Sequence, residues 1–180
     1  GAMSFEALRG QLVAFDAEIL ALKASPGIQT SGQRLRELLA DSPLLAESQG
    51  LRTQDALSLR SMPQVHGACR DQFSHAQTQI NIELNACTDN PLILGTVEQW
   101  RVVSQAHPHG ESVAMACDLL AIAMAELGAI AERRLDRLVN PLVGGLPAFL
   151  VARPGVNSGM MIAQYVAASL CAENKQLAQP

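Results

Sequence analysis

The stretch whose reading decides the fold is Thr53–Pro91, TQDALSLRSMPQVHGACRDQFSHAQTQINIELNACTDNP. Pro63 has no backbone N–H to donate and fits the first turn of a helix, so the spacing predicts a helix that starts there. Val65, Ala68, Cys69, Phe73, Ala76, Ile80 and Leu84 then recur at steps of three and four, an apolar stripe that carries the helix to about Cys87. Roughly 24 residues of helix reach ~36 Å. Asp55–Arg60 reads as a short turn or single helical turn feeding it, and Asp89-Asn90-Pro91 as the turn that ends it.

Beyond Pro91, the runs Leu92-Ile93-Leu94 and Trp100-Arg101-Val102-Val103 flank Gly95 and predict a small hairpin. From about His109 to Asn140 the pattern is helical without an internal proline, ~32 residues or ~48 Å. Within it Val113–Ala131 is apolar on almost every side, and such a helix must be covered all round. Asp118 and Glu126 inside this run favour a buried soluble helix over a membrane span. A single chain of 180 residues has few helices for the task, so the expected cover is other copies of the same chain. Glu132, Arg133, Arg134, Asp136 and Arg137 are read as its solvated end. Pro141–Pro154 is expected to be an irregular, mobile loop, and Asn157 or Ser158 to cap a last helix to about Leu177.

Before Thr53, Ser4 stands where an N-cap would, and Phe5, Leu8, Leu12, Phe15, Ile19 and Leu22 predict one amphipathic helix to about Lys23. Ser25-Pro26-Gly27 breaks it. Leu35, Leu38 and Leu39 mark a second short helix ending near Asp41-Ser42-Pro43, and Leu44–Arg52 reads as a surface connection. Gly1-Ala2-Met3 is read as a cloning scar outside the fold, leaving 4–180 as a single helical domain.

Aromatic residues make up 3% of the chain against 48% for the whole apolar set, a composition suited to close helix packing more than to a sandwich. A net charge of -4 with no long basic run argues against a nucleic-acid surface, and no DNA or RNA partner is expected. Cys69, Cys87, Cys117 and Cys171 form no C-x-x-C pair and stand among small or apolar neighbours; buried free thiols in a reducing cytoplasm are expected.

Gln54, Asp55 and Arg60 lie within seven residues at a helix entrance, where freed N–H groups favour an anion and a guanidinium can grip a carboxylate through two parallel hydrogen bonds. Spacing alone favours instead a structural Arg60, paired with Asp55 or with a helix C-terminus. His66 and His75 face different sides of their helix and His107 and His109 straddle a proline, so no metal site is expected. No phosphate loop, dinucleotide fingerprint or nucleophile elbow is present.

The run from Gln54 to Ala68, QDALSLRSMPQVHGA, resembles the Q-D-x-Y-S-x-R-x-x-P-Q-x-x-G-A segment of histidine ammonia-lyases and the wider aromatic amino acid lyase family. Glu83-Leu84-Asn85, Thr88–Pro91, His109-Gly110-Glu111, Ala131–Arg134, Asn157–Gln164 and Glu173-Asn174-Lys175 resemble further family segments in the same order. The resemblance implies an all-α, fumarase/aspartase-like bundle of long helices, assembled as a cytoplasmic homotetramer whose active sites draw on more than one subunit. It implies elimination of ammonia from an aromatic L-amino acid, with urocanate as the product in histidine catabolism, and a methylidene-imidazolone electrophile made from an internal Ala-Ser-Gly. By motif position Arg60 would bind the substrate carboxylate and Gln54 would help to position the substrate.

Two features depart from the family pattern. Ala-Ser-Gly does not occur in the chain, so the resemblance is to a fragment of a larger lyase, expected to be inactive alone. Leu57 stands where the family has a catalytic-site tyrosine, which removes a hydroxyl able to donate a hydrogen bond or a proton, and Pro108 replaces a phenylalanine that packs in the pocket. The alternative to a lyase is therefore a non-catalytic helical oligomerisation domain, or a homologue with an altered substrate.

Overall fold

A computed structural model describes residues 1–179. Its helices are α1 (Ala2–Ala7), α2 (Ala17–Ala21), α3 (Pro26–Leu38), α4 (Pro43–Glu47), α5 (Leu57–Arg60), α6 (Met62–Leu84), α7 (Glu111–Val139), α8 (Pro141–Gly144) and α9 (Met161–Leu177). Two strands, β1 (Leu92–Gly95) and β2 (Trp100–Val103), pair antiparallel with Leu92 opposite Val103 and Gly95 opposite Trp100. The all-α bundle with one small hairpin is thus the architecture. α6 and α7 lie side by side, with α3 against α6 and α9 against α7.

The start of α6 follows its sequence. Pro63 occupies the first turn, and Met62 and Pro63 are fully buried, pinning the helix to the core. That core gathers Phe5, Leu8, Phe15, Leu35, Leu39, Leu45, Leu59, Met62 and Ile130 around the α5–α6 junction. Phe5 and Phe15 form its aromatic centre, with ring centroids 4.6 Å apart at 39°.

Two glycines let α3 and α6 touch backbone to backbone. A Cβ on Gly27 would lie 2.1 Å from the Gly67 carbonyl oxygen, and one on Gly67 would lie 2.5 Å from the Ile28 nitrogen. Beside this contact the Asp71 carboxylate of α6 accepts from Ser25 Oγ at 2.7 Å and Gly27 N at 2.8 Å. An α6 carboxylate therefore satisfies the free N–H end of α3, where negative charge is favoured.

Several expectations are corrected. The single helix from Ser4 to Lys23 is instead α1, a 3-10 turn at Leu12–Phe15 and α2, because Gly10 and Asp16 interrupt the stripe; Asp16 caps α2 by accepting from Glu18 N and Ile19 N. Ala2 and Met3 belong to α1, so Gly1–Met3 do not lie outside the fold. The break expected at Ser25-Pro26-Gly27 falls between α2 and α3, and Pro26 opens α3 with Ser25 as its cap. The connection after Leu44 contains α4, whose Leu45 is buried, and Gln11 clamps the turn beyond it by donating to Ser48 O and accepting from Gly50 N. The Pro141–Pro154 segment holds α8 and a 3-10 turn at Ala148–Leu150. Neither Asn157 nor Ser158 caps α9; its cap position is Met160, without a side-chain hydrogen bond. Of the four thiols, all free, only Cys69 is buried, whereas Cys87 and Cys117 are exposed.

α7 is long and apolar enough to cross a membrane by length and composition. Apart from Arg134, its buried positions fall on two seven-residue series, Ala116, Ala123 and Ile130, and Ala125, Glu132 and Val139. Cys69 Sγ on α6 donates to Ala123 O at 3.3 Å, which assigns the first series to α6; Gln164 on α9 donates to Glu132 at 3.1 Å, which assigns the second to α9. Met115, Ile122 and Met124 of α7 remain exposed, as do Ile162, Tyr165, Val166 and Leu170 of α9.

Gly67→Ala should destabilise the chain by about 1–3 kcal/mol, despite alanine's better helix propensity, because the clash is with the backbone of another helix. A urea titration reads this, with Ala68→Gly on the exposed face as the control that loses only about 0.5–1 kcal/mol.

Candidate carboxylate-binding site at the α5–α6 junction

Arg60 is the last residue of α5, and Ser61 alone separates it from α6. Its guanidinium donates from Nη1 to Gln54 Oε1 at 2.6 Å, while Nε is buried without a partner. The pairing of Arg60 with Asp55 that spacing allowed does not form. Asp55, 1% exposed at its side chain, binds Arg52 Nε at 2.9 Å and accepts from Gln11 N at 2.6 Å. The one acid of the motif is thus taken up by structural contacts, and Arg60 has no carboxylate partner among the described residues.

A cleft of about 280 Å³ next to Gln54 is lined by Leu8, Arg52, Asp55, Leu59 and Arg137, among others. Its two guanidinium groups are engaged by backbone carbonyls, Arg52 with Leu8 O at 2.8 Å and Arg137 with Val143 O at 2.5 Å. Arg60 is not among its walls. Leu57, at the start of α5, is 65% exposed and its apolar side chain offers no proton.

Pro108 lies elsewhere. It sits in an exposed turn before α7, at the hairpin end of the bundle. α6 runs 23 residues between the two ends, a length of ~34 Å. One copy of the chain therefore does not bring Pro108 together with Gln54, Leu57 and Arg60. The hairpin end has its own polar net: Gln105 N donates to Asn90 Oδ1 at 2.9 Å, Ser112 Oγ to Glu83 Oε1 at 2.5 Å, and His107 Nδ1 lies 3.3 Å from Cys87 O. Among the described residues no group of three or more His, Cys, Asp or Glu is placed to hold a metal.

The charged end of α7 is not solvated as expected. Glu132 and Arg134 are only 6% and 7% exposed. The Arg133 side chain beside Glu132 holds its carboxyl below the usual range against the effect of burial, with help from Gln164 and Lys175. Arg134 is lowered by burial, and its Nη1 has no partner. The seven-residue series through Ala125 and Val139 marks Glu132 for burial, and Arg134 stands four residues after the buried Ile130; both signals are present in the sequence. Gln64, whose Oε1 is also buried and unpartnered, carries no such signal.

The chain is thus a bundle of long helices with a guanidinium at a helix junction. The Aromatic amino acid lyase family model matches residues 1–180. The chain is 48% identical over 180 residues to histidine ammonia-lyase of Alkaliphilus metalliredigens, covering 100% of this chain and 35% of that protein. It superposes on the crystal structure of histidine ammonia-lyase from Trypanosoma cruzi with a TM-score of 0.86 at 43% identity, covering 99% of this chain and 32% of that one. With the Pantoea agglomerans phenylalanine aminomutase the TM-score is 0.89 at 33% identity, over 99% and 38% of the two chains. The chain belongs to the aromatic amino acid lyase family. It spans about a third of the length of the curated relatives it matches.

Burial holds the His66 imidazole down to about 4, helped by the Arg134 guanidinium, the Gly1 amino group and Arg70. The unfolded chain then takes up a proton near 6.5 that the folded chain refuses, so this stability is present above about pH 6.5 and lost as pH falls toward 4. Across that window the thermal midpoint of the wild type should fall more steeply than that of His66→Gln, as measured by circular dichroism.

Proposed function

We propose that residues 1–180 form the carboxylate-binding helical part of a histidine ammonia-lyase that converts L-histidine to urocanate and ammonia. The observation that carries this reading is Arg60, oriented by Gln54 and not neutralised by Asp55, at the start of the long helix. Identity to histidine ammonia-lyases over the whole chain supports histidine over other aromatic amino acids.

The role of these residues is to bind and orient. Arg60 takes the substrate carboxylate in charge-assisted hydrogen bonds, and Gln54 holds the guanidinium plane so that little freedom is lost on binding. The family's methylidene-imidazolone, when present, supplies the electrophile that makes the amine a competent leaving group. Residues 1–180 lack the Ala-Ser-Gly that forms it, so this chain's own contribution is substrate binding, and alone it is inactive. Leu57 gives no proton to the reaction at its position.

Copies of the chain covering the exposed apolar face of α7 and α9 would build the tetramer, and would also carry Pro108 of one copy toward Arg60 of another. Four free cysteines fit a reducing cytoplasm. Leu57 and Pro108 specifically favour the second reading, a non-catalytic oligomerisation domain that keeps the lyase scaffold.

The full-length protein mixed with L-histidine should produce urocanate, followed by its ultraviolet absorbance; no product from L-histidine or L-phenylalanine supports the scaffold reading. Arg60→Ala should weaken substrate binding by about 1.5–3 kcal/mol, seen as a raised KM; unchanged KM and kcat would return Arg60 to a structural role. For the chain alone, light scattering at micromolar concentration should show an oligomer, and a monodisperse monomer would count against the covered face.

A further inference from the structure

Two complementary polar atoms at the α5–α6 junction have no partners. Arg60 Nε and Gln64 Oε1 are both shut off from solvent, and neither makes a hydrogen bond. One is a donor and the other an acceptor. They stand four residues apart on a run that only Ser61 interrupts, and Ser61 N bonded to Leu57 O and Val65 N bonded to Ser61 O, each at 3.0 Å, carry the helical turn through it. Side chains four apart on such a turn are neighbours on one face. Left single, each atom bears the full cost of its desolvation, and pairing satisfies both.

We propose that Gln64 is a positioning residue for Arg60, its carboxamide oxygen accepting the Nε–H while a carboxylate engages the outer edge of the guanidinium. Gln54 already holds Nη1. A second anchor at Nε fixes the plane through two of its three nitrogens and leaves Nη2, which has no partner among the described residues, on the edge that receives the ligand. The buried Met62 and Pro63 fix the turn on which Gln64 stands, four residues from the arginine. Asp55 does not compete, being bound to Arg52 and to Gln11 N. The inference rests on the reading of Arg60 as the carboxylate-binding group.

The test uses the full-length protein and isothermal calorimetry with two ligands, imidazolepropionate, which carries a carboxylate, and histamine, which lacks one. Methionine matches glutamine in length and helix propensity without the acceptor. Gln64→Met should weaken imidazolepropionate roughly tenfold, leave histamine unchanged, and add nothing to the loss caused by Arg60→Ala in the double variant. Unchanged imidazolepropionate affinity, equal losses for both ligands, or losses that add in the double variant would each overturn the proposal. The lyase reading fails separately. A wild type that binds imidazolepropionate through Gln64 yet turns over neither L-histidine nor L-phenylalanine removes that reading and keeps the positioning role, whereas a wild type that binds no carboxylate overturns both.

Discussion

The close approach of α3 to α6 at Gly27 and Gly67 is the constraint on which the rest depends. No side chain other than hydrogen fits between the two backbones there, and Asp71 locks the contact by taking the free N–H end of α3. This fixes the first third of α6, and with it the buried Met62-Pro63 turn that carries α5. Arg60 inherits its position from that turn. A guanidinium on a loop would have to be ordered by whatever it binds; one on a helix junction anchored at a helix crossing is ordered beforehand.

Burial of charge along α7 follows from the same close packing. A helix that meets α6 on one side and α9 on the other has two buried seams, and at its charged end polar residues are drawn into the buried surface. Glu132 falls on the α9 seam and is satisfied by Arg133 and Gln164. Arg134 is buried with one donor unpartnered, next to a histidine that burial keeps neutral. Burial strengthens the interactions that these charged groups do make and makes the missing partner of Arg134 costly.

The candidate site is divided by the length of α6. Arg60, Gln54 and Leu57 occupy one end and Pro108 the other, so the family motifs that follow one another in the sequence do not form one pocket in one copy. The exposed apolar residues of α7 and α9 lie between those ends, where a second copy could bridge them. Distance alone, not any local feature, keeps the two ends apart within one copy.

Much was legible in the sequence. Pro63 and the stripe after it defined α6, the Gly95 hairpin was marked by its flanking apolar runs, and the motif from Gln54 to Ala68 carried the family resemblance, because each of these rests on local geometry or on fixed spacing. The helix drawn from Ser4 to Lys23 failed for the opposite reason: an apolar stripe continues through a break when the core beneath it is shared, and only the packing of Phe5 on Phe15 shows that the chain turns between them. Likewise the sequence left Arg60 free to pair with Asp55 or with a ligand. The tertiary structure decided the matter by bringing Arg52 and the Gln11 N–H to Asp55, the latter across 44 residues of chain, since which charge meets which depends on where the backbone places them.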